Sequence, residues 1–231
     1  EFFGLDNATI RLGLDYGITD RLAVGLGRSS FEKTYDGFVK YKIIRQQTGK
    51  RNIPFSLSAL SSVAVRTLQW PEPERDNLFS SRFFYTFQAL FASKITSGLS
   101  LQVTPTLIHR NLVATPEDAN DVFALGIGGR QKLTGSITLN AEWFYVLPNQ
   151  IVSPLFGEQV RNTFSVGLDI ETGGHVFQLH VTNSRGMVEK FFITETTGNW
   201  LDGDIHFGFN VNRAFTLKAQ QKPKGESTPD W

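Results

Sequence analysis

Basic side chains recur at alternate positions in several segments of this sequence, and they suit the passage of anionic solutes better than a covalent reaction. The basic residues of this set are Arg11, Lys40, Lys42, Arg66, Arg82, Lys94, Arg110 and Arg130. Four further residues share the alternation, namely Glu142, Asp169, His180 and His206. Around a pore, such groups would lower the barrier for solutes that carry carboxylate or phosphate. The same side chains could equally form ion-pair networks that fill a narrow barrel.

A hydrolytic site can also be drawn from Ser165, Asp169 and His180. A hairpin turn at residues 172–174 would place His180 opposite Gly167 and diagonal to Asp169. The sequence shows no strained nucleophile elbow or helix N-terminus that would build an oxyanion hole. We therefore expect a hydrogen-bond network here, no enzymatic activity and no cofactor. His206 lies higher on its segment, so a metal site shared with His180 has little support.

The segment Arg82–Ile95 shows which kind of element must position these side chains. Its apolar residues alternate with polar ones, which is the pattern of a strand with one apolar and one polar face. The apolar set is Phe83, Tyr85, Phe87, Ala89, Phe91 and Ile95, and the polar set is Arg82, Thr86, Gln88 and Lys94.

The same contrast recurs in about eleven segments of roughly ten residues, a pattern typical of transmembrane β-barrels. The predicted strands are Ala8–Gly17, Arg21–Ser29, Gly37–Gln46, Ile53–Gln69, Arg82–Ile95, Leu99–Asn111, Val122–Lys132, Ser136–Leu147, Asn162–Glu171, His175–Asn183 and Asp204–Lys218.

The connections between these segments alternate between short and long. Short turns are predicted at 18–20, 47–52, 96–98, 133–135 and 172–174, and longer loops at 70–81, 113–121, 148–161 and 185–203. Short turns on one rim and long loops on the other are typical of an outer-membrane barrel with its turns in the periplasm. The expected fold is therefore all-β, a transmembrane antiparallel up-and-down barrel.

The strand count predicts one more strand than the sequence shows. The first and last segments both run from the long-loop rim to the short-turn rim, so antiparallel closure requires one ascending strand before Glu1. This gives about twelve strands, an even number as in single-chain bacterial barrels. We expect one barrel domain at residues 1–218 and a flexible, proline- and charge-containing tail at 219–231.

Composition excludes several other classes of protein. With 23 basic and 22 acidic residues the chain has a net charge of +1, which gives no reason to expect a nucleic-acid partner. There is no cysteine, so disulfides, thiolate metal sites and thiol nucleophiles are excluded. No apolar run approaches the ~18 residues of a membrane-spanning helix.

The apolar face is predicted to face lipid rather than a soluble core. Arg28, Arg45 and His109 are charged exceptions on this face, and they fall only near predicted strand ends, where a membrane surface tolerates charge. A barrel of about twelve strands is also too wide for one layer of apolar side chains to fill.

The run Phe2–Gln46, FFGLDNATIRLGLDYGITDRLAVGLGRSSFEKTYDGFVKYKIIRQ, resembles an uncharacterised β-barrel family of Bacteroidota outer membranes, and the run His206–Leu217, HFGFNVNRAFTL, is similar as well. The resemblance covers most of the chain and implies an outer-membrane barrel. It implies no reaction and no catalytic residues.

Together these observations favour a narrow bacterial outer-membrane channel for small polar or anionic solutes. The alternative from another class is a plugged structural barrel that serves as a subunit of a larger outer-membrane complex; a lipid-acting enzyme has less support. Expected partners are membrane lipid and lipopolysaccharide, with other outer-membrane proteins left open.

Overall fold

Eleven strands form one continuous antiparallel sheet in the computed structural model, which describes residues 8–49, 51–70, 73–155 and 157–217. The strands are β1 (Arg11–Gly17), β2 (Leu22–Ser29), β3 (Thr34–Ile44), β4 (Ser56–Arg66), β5 (Phe83–Lys94), β6 (Leu99–Arg110), β7 (Asp121–Lys132), β8 (Ile137–Val146), β9 (Thr163–Thr172), β10 (His175–Thr182) and β11 (His206–Arg213).

Each strand pairs with its neighbours in sequence, so the up-and-down topology predicted from the sequence is confirmed. All eleven predicted strands are present. Most boundaries move by a few residues, and β3 begins at Thr34 rather than Gly37. The last strand is shorter than expected, because pairing with β10 ends at Arg213, which lies opposite His175 where that strand begins.

The two faces of the sheet differ as the alternation predicted. Large apolar side chains are exposed on the outer face, for example Leu14 at 84% and Leu26 at 74%. Polar side chains are buried on the inner face, for example Thr86 at 3% and Thr104 at 2%. A soluble protein would bury the apolar face, whereas a strand in lipid exposes it. The predicted orientation, with apolar side chains outside, is confirmed.

Most loop lengths divide between the rims as predicted. The turns after β1, β5, β7 and β9 are short, whereas the connections after β4, β6, β8 and β10 are long. The connection after β3, predicted as a tight turn at 47–52, instead spans residues 45–55, where a single Gln47–Ile53 bridge continues the pairing. The long connection after β10 contains the helix α1 (Glu189–Thr194). Among the described residues, no helix has the length and hydrophobicity that a membrane crossing requires.

The edge strands β1 and β11 run in the same direction, because they are separated by nine strands that alternate in direction. Within the described residues, each edge strand pairs with one neighbour only. Direct antiparallel pairing between them is therefore geometrically excluded. The strand expected before Glu1 and the tail at 219–231 lie outside the described residues and stay predictions.

Apolar residues inside the barrel are concentrated near the long-loop rim, in two clusters that both include the loop after β10. One cluster joins Ile193 to the strand residues Ile108, Val122, Ala124 and Phe144. The other joins Val188 and Phe191 to Ala64 and Phe84. This loop, which the sequence pattern placed outside the barrel, is folded into it.

The lipid-facing orientation makes a testable prediction for β6. Val103 is exposed on the outer face, and its neighbour Gln102 faces the interior. Val103→Arg is expected to destabilise the folded barrel by about 2–4 kcal/mol, because a charge near the bilayer midplane is costly. Gln102→Arg is the matched control and is expected to have a much smaller effect. Denaturant unfolding in phospholipid vesicles measures both, and equal effects would contradict the orientation.

Candidate functional site

A cavity of about 930 Å³ occupies the interior of the barrel. Its walls come from β1 and from β5 to β11, and the loop after β10 covers it through Gly186, Met187 and Phe192. Its lining is rich in amide groups, including those of Gln102, Asn140, Gln178, Asn210 and Asn212. Amides both donate and accept hydrogen bonds, so this wall can replace the hydration of an uncharged polar solute.

Five of the residues selected from the sequence line this cavity: Arg11, Arg130, Glu142, Asp169 and His180. Both guanidinium groups are engaged with carboxylates. Arg11 donates to both carboxylate oxygens of Asp36, and Arg130 lies 2.9 Å from Glu171 and 4.0 Å from Asp169.

The hydrolytic arrangement drawn from the sequence is not formed. His180 does lie opposite Gly167, as predicted. However, the Ser165 hydroxyl is 2.8 Å from the Thr182 hydroxyl, and Asp169 accepts a hydrogen bond of 2.8 Å from Gln178. The His180 ring lies against Gly208, where a Cβ atom would come within 2.0 Å of its Nε2. Serine, histidine and aspartate therefore have separate partners.

Three other selected arginines lie near the long-loop rim. Arg66 pairs with Glu32 at 3.4 Å. Arg82 precedes β5, donates hydrogen bonds to the carbonyls of Arg66 and Leu68, and lies over the Trp70 ring. Arg110 is buried and donates to the carbonyl of Ala119. These guanidinium groups hold the loops in place and do not line the cavity.

The selected lysines lie toward the other rim. Lys40 and Lys42 point inward near the lower end of β3, and Lys94 ends β5 beside the short turn. Within the described part of the chain, none of the three forms an ion pair. His206 begins β11 at the long-loop end, opposite Thr182.

The charge around the cavity differs from that expected from the sequence. Three carboxylates line it, those of Asp15, Glu142 and Asp169, against the guanidinium groups of Arg11 and Arg130. The unpaired basic groups instead lie toward the short-turn rim. Alternation in the sequence identifies which side chains face inward but not how deep they lie. It therefore grouped the cavity residues, whose net charge is balanced or acidic, with Lys40, Lys42 and Lys94 near the short-turn rim, which we call the basic mouth.

The loop after β10 is held against the wall by an almost fully buried lysine. Lys190 is 2% exposed, and its ammonium lies 3.0 Å from Glu32 and 2.7 Å from Glu195. It also lies 4.3 Å from the centre of the Phe84 ring and 4.1 Å from that of Phe191. Two carboxylates and two ring faces compensate for the loss of water around this cation.

The two ends of the same loop are held together by one side chain. The Asn183 amide donates to the carbonyl of Gly198 at 2.8 Å and to that of Asn162 at 3.1 Å, while its oxygen accepts from the Phe164 amide. Residues 184–197 therefore leave and rejoin the wall at nearly the same point. Compact loops with adjacent ends, called Ω-loops, often have functional roles.

Two carboxylates of this loop are placed at an electrostatic cost. Burial raises the pKa of Glu189 above its ordinary value of 4.5, and neighbouring Asp36 adds to this, while Arg11 and the Ser62 hydroxyl oppose it. Burial likewise raises the pKa of Glu195, an effect that Lys190 offsets only in part. Glu189 has no cation of its own among the described contacts beyond the Arg11 already bound to Asp36.

One signal in the sequence could have identified this loop. The segment that the sequence pattern assigned to an exposed loop carries a cluster of apolar residues, namely Val188, Phe191, Phe192 and Ile193. Exposed loops do not usually carry such a cluster, because its side chains would have nothing to pack against. The cluster therefore indicates a segment that folds back onto the protein.

Two solved structures are similar to this chain. The structure described as "NanC porin structure in rhombohedral crystal form" matches with a TM-score of 0.60 at 7% identity, covering 90% of this chain and 93% of that one, and this match supports the porin-like fold. The Pseudomonas putida toluene transporter TodX matches with a TM-score of 0.32 at 15% identity, covering 74% of this chain and 42% of that one. Among curated proteins, none matches this sequence.

The resemblance noted in the sequence is confirmed at the level of a membrane β-barrel family, and its assignment to Bacteroidota stays a prediction. The family model described as "Membrane bound beta barrel domain (DUF5777)" matches residues 1–215, and the chain belongs to this family.

Proposed function

We propose that this protein is a narrow outer-membrane channel for small polar solutes, including anionic ones. The observation that carries the proposal is a cavity of about 930 Å³, lined in part by amide, hydroxyl and charged side chains, on the inner side of a sheet whose outer face is apolar. A filled structural barrel has no need for such a cavity. Porins combine the same features, a polar interior and an apolar outer band.

The lining supports small, hydrogen-bonding solutes more strongly than a selective anion path. Amide and hydroxyl side chains outnumber the charged ones in the cavity wall, whereas the unpaired lysines Lys40, Lys42 and Lys94 lie toward the short-turn rim. A basic mouth raises the local concentration of anions without requiring an anion site deeper inside.

The outer surface supports the proposed contacts with membrane lipid and lipopolysaccharide. Near the long-loop rim, Arg28 lies over the Tyr35 ring, and His109 lies beside Tyr85 and 2.7 Å from Asp121. Aromatic and basic side chains at this height suit the head-group region of a bilayer. Other outer-membrane proteins remain partners under the second candidate below.

The second candidate function is a plugged structural barrel within a larger outer-membrane complex. Burial of Phe191 and Ile193 inside the barrel favours it, because these side chains fill the long-loop side of the interior. Conductance distinguishes the two candidates, since a plugged barrel carries no current.

Conductance of the full-length protein in planar bilayers tests the channel. Asn140 faces the cavity and its neighbour Leu139 faces outward. Asn140→Trp is expected to lower single-channel conductance by narrowing the path, whereas Leu139→Trp, the matched control, should leave it unchanged. Absence of conductance in the wild-type protein would favour the plugged barrel, and a current that appears on deletion of residues 187–194 would identify this loop as the plug.

The basic mouth makes a separate prediction about ion selectivity. Replacing Lys40 and Lys42 together with glutamine is expected to shift the reversal potential in a salt gradient toward cation preference, because two unpaired positive charges leave the mouth. Replacing both lysines with arginine is the control, since it keeps the two positive charges at the same positions. Equal shifts in both proteins would contradict a lysine-lined mouth.

A further inference from the structure

We propose that residues 184–197 form a gate that pivots on the Asn183–Gly198 clamp and opens or closes the long-loop end of the cavity. This inference rests on the proposed channel and adds its regulation. The segment covers the cavity through Gly186, Met187 and Phe192, so its displacement would connect the cavity to the long-loop mouth.

The contacts between Asn183 and Gly198, at the base of the segment, favour movement of residues 184–197 as one unit. The Asn183 amide holds Gly198 at 2.8 Å, and a Cβ atom on Gly198 would lie 2.4 Å from the Asn183 carbonyl. Only a glycine permits this close approach. With both ends held at one place, the intervening residues can leave the wall without any change in the flanking strands β10 and β11.

The tip of the segment is held by ionic contacts in addition to the two apolar clusters, and the ionic contacts can be exchanged for water. Lys190 binds Glu32 of the β2–β3 connection and Glu195 of its own loop, and Glu32 also pairs with Arg66 of β4. Ser62 of β4 lies 3.4 Å from Glu189. A loop held only by apolar contacts would lose them all on moving, whereas charged groups regain hydration. The ionic contacts therefore reduce the cost of the open state.

The closed position also carries excess negative charge. Charged groups that interact with Glu189 are Arg11 on β1, Asp36 on β3 and Glu142 on β8. Arg11 already binds Asp36, and Lys190 of the same loop binds Glu32 and Glu195. Glu189 is thus a buried carboxylate without a cation of its own, and its ionisation opposes closure.

This arrangement determines the sign of the pH response. Because the pKa of Glu189 is raised in the closed position, closure is favoured at low pH and weakens as the pH rises through that raised value. Acidification of the bilayer chamber from neutral pH should lower the open fraction. Glu189→Gln should reduce the open fraction at neutral pH and flatten its pH dependence. An unchanged pH profile in this variant would contradict the role of Glu189.

Removal of the buried cation should release the tip. Lys190→Met leaves Glu195 buried without its cation and Glu32 with Arg66 alone, and the ratio of open to closed states is expected to rise at least about tenfold. The double variant Lys190→Met with Glu195→Gln is the matched control, because it removes the orphaned charge and should reverse part of the increase.

A reversible cross-link at the tip provides the decisive test, because the chain has no native cysteine. Ser62 Oγ on β4 and Glu189 Oε2 at the tip of the loop are 3.4 Å apart, so a Ser62→Cys, Glu189→Cys pair lies within reach of a short bis-thiosulfonate cross-linker that a reductant cleaves. Cross-linking should hold the loop closed and abolish opening transitions, and reduction should restore them. Each single variant is the control for the substitution itself.

The outcomes separate the gate from the channel. Identical opening transitions in the cross-linked and reduced double variant, with the cross-link verified by mass spectrometry, would overturn the gate and leave a channel with a fixed constriction. Absence of conductance in every state, including the reduced protein and Lys190→Met, would overturn the channel and the gate with it.

Discussion

The structure depends on one constraint: a strand has two faces, and in a membrane barrel each face has a different environment. Lipid offers no hydrogen bonds, so the backbone must be satisfied by neighbouring strands and the outer side chains must be apolar. The inner face is then free to carry polar groups. Here it carries buried Thr86, Thr104 and Thr106 as well as the charged residues of the cavity. The residues of the proposed channel and gate lie on this inner face or on the loops that extend from it.

Because the inner face is polar, filling part of it with an apolar loop requires local changes in the wall. Where the loop after β10 lies, the wall becomes apolar through Ile108, Val122 and Phe144. Phe144 in turn needs Gly126 on the neighbouring strand, since a Cβ atom there would lie 2.6 Å from the Phe144 ring. The wall and the loop are therefore complementary in size and polarity, which indicates that inward folding is a property of the native structure and not an accident of a long connection.

The sequence predicted the fold well and the site incompletely. Strand positions, faces and the pairing of His180 with Gly167 follow from alternation and turn length, which are local properties. The roles of Arg82 and Arg110 cannot be predicted in this way, because alternation does not show whether a guanidinium group reaches a carbonyl in a neighbouring loop. Alternation also does not predict that the loop after β10 folds into the barrel. Its main anchor joins Lys190 to Glu32 across 158 positions of sequence, and no periodic pattern reports such a contact.

The chemistry of that anchor is the strongest argument that the loop has more than a filling role. A plug needs only apolar side chains of the right volume, and replacing a buried ion pair by such residues often stabilises a protein. This loop instead buries Lys190 between Glu32 and Glu195 and places Glu189 near Asp36 and Glu142. Such groups lower the stability of the closed position relative to an apolar plug of equal size. Their presence is explained if the closed position must be reversible, because charged groups regain water when the loop leaves the wall.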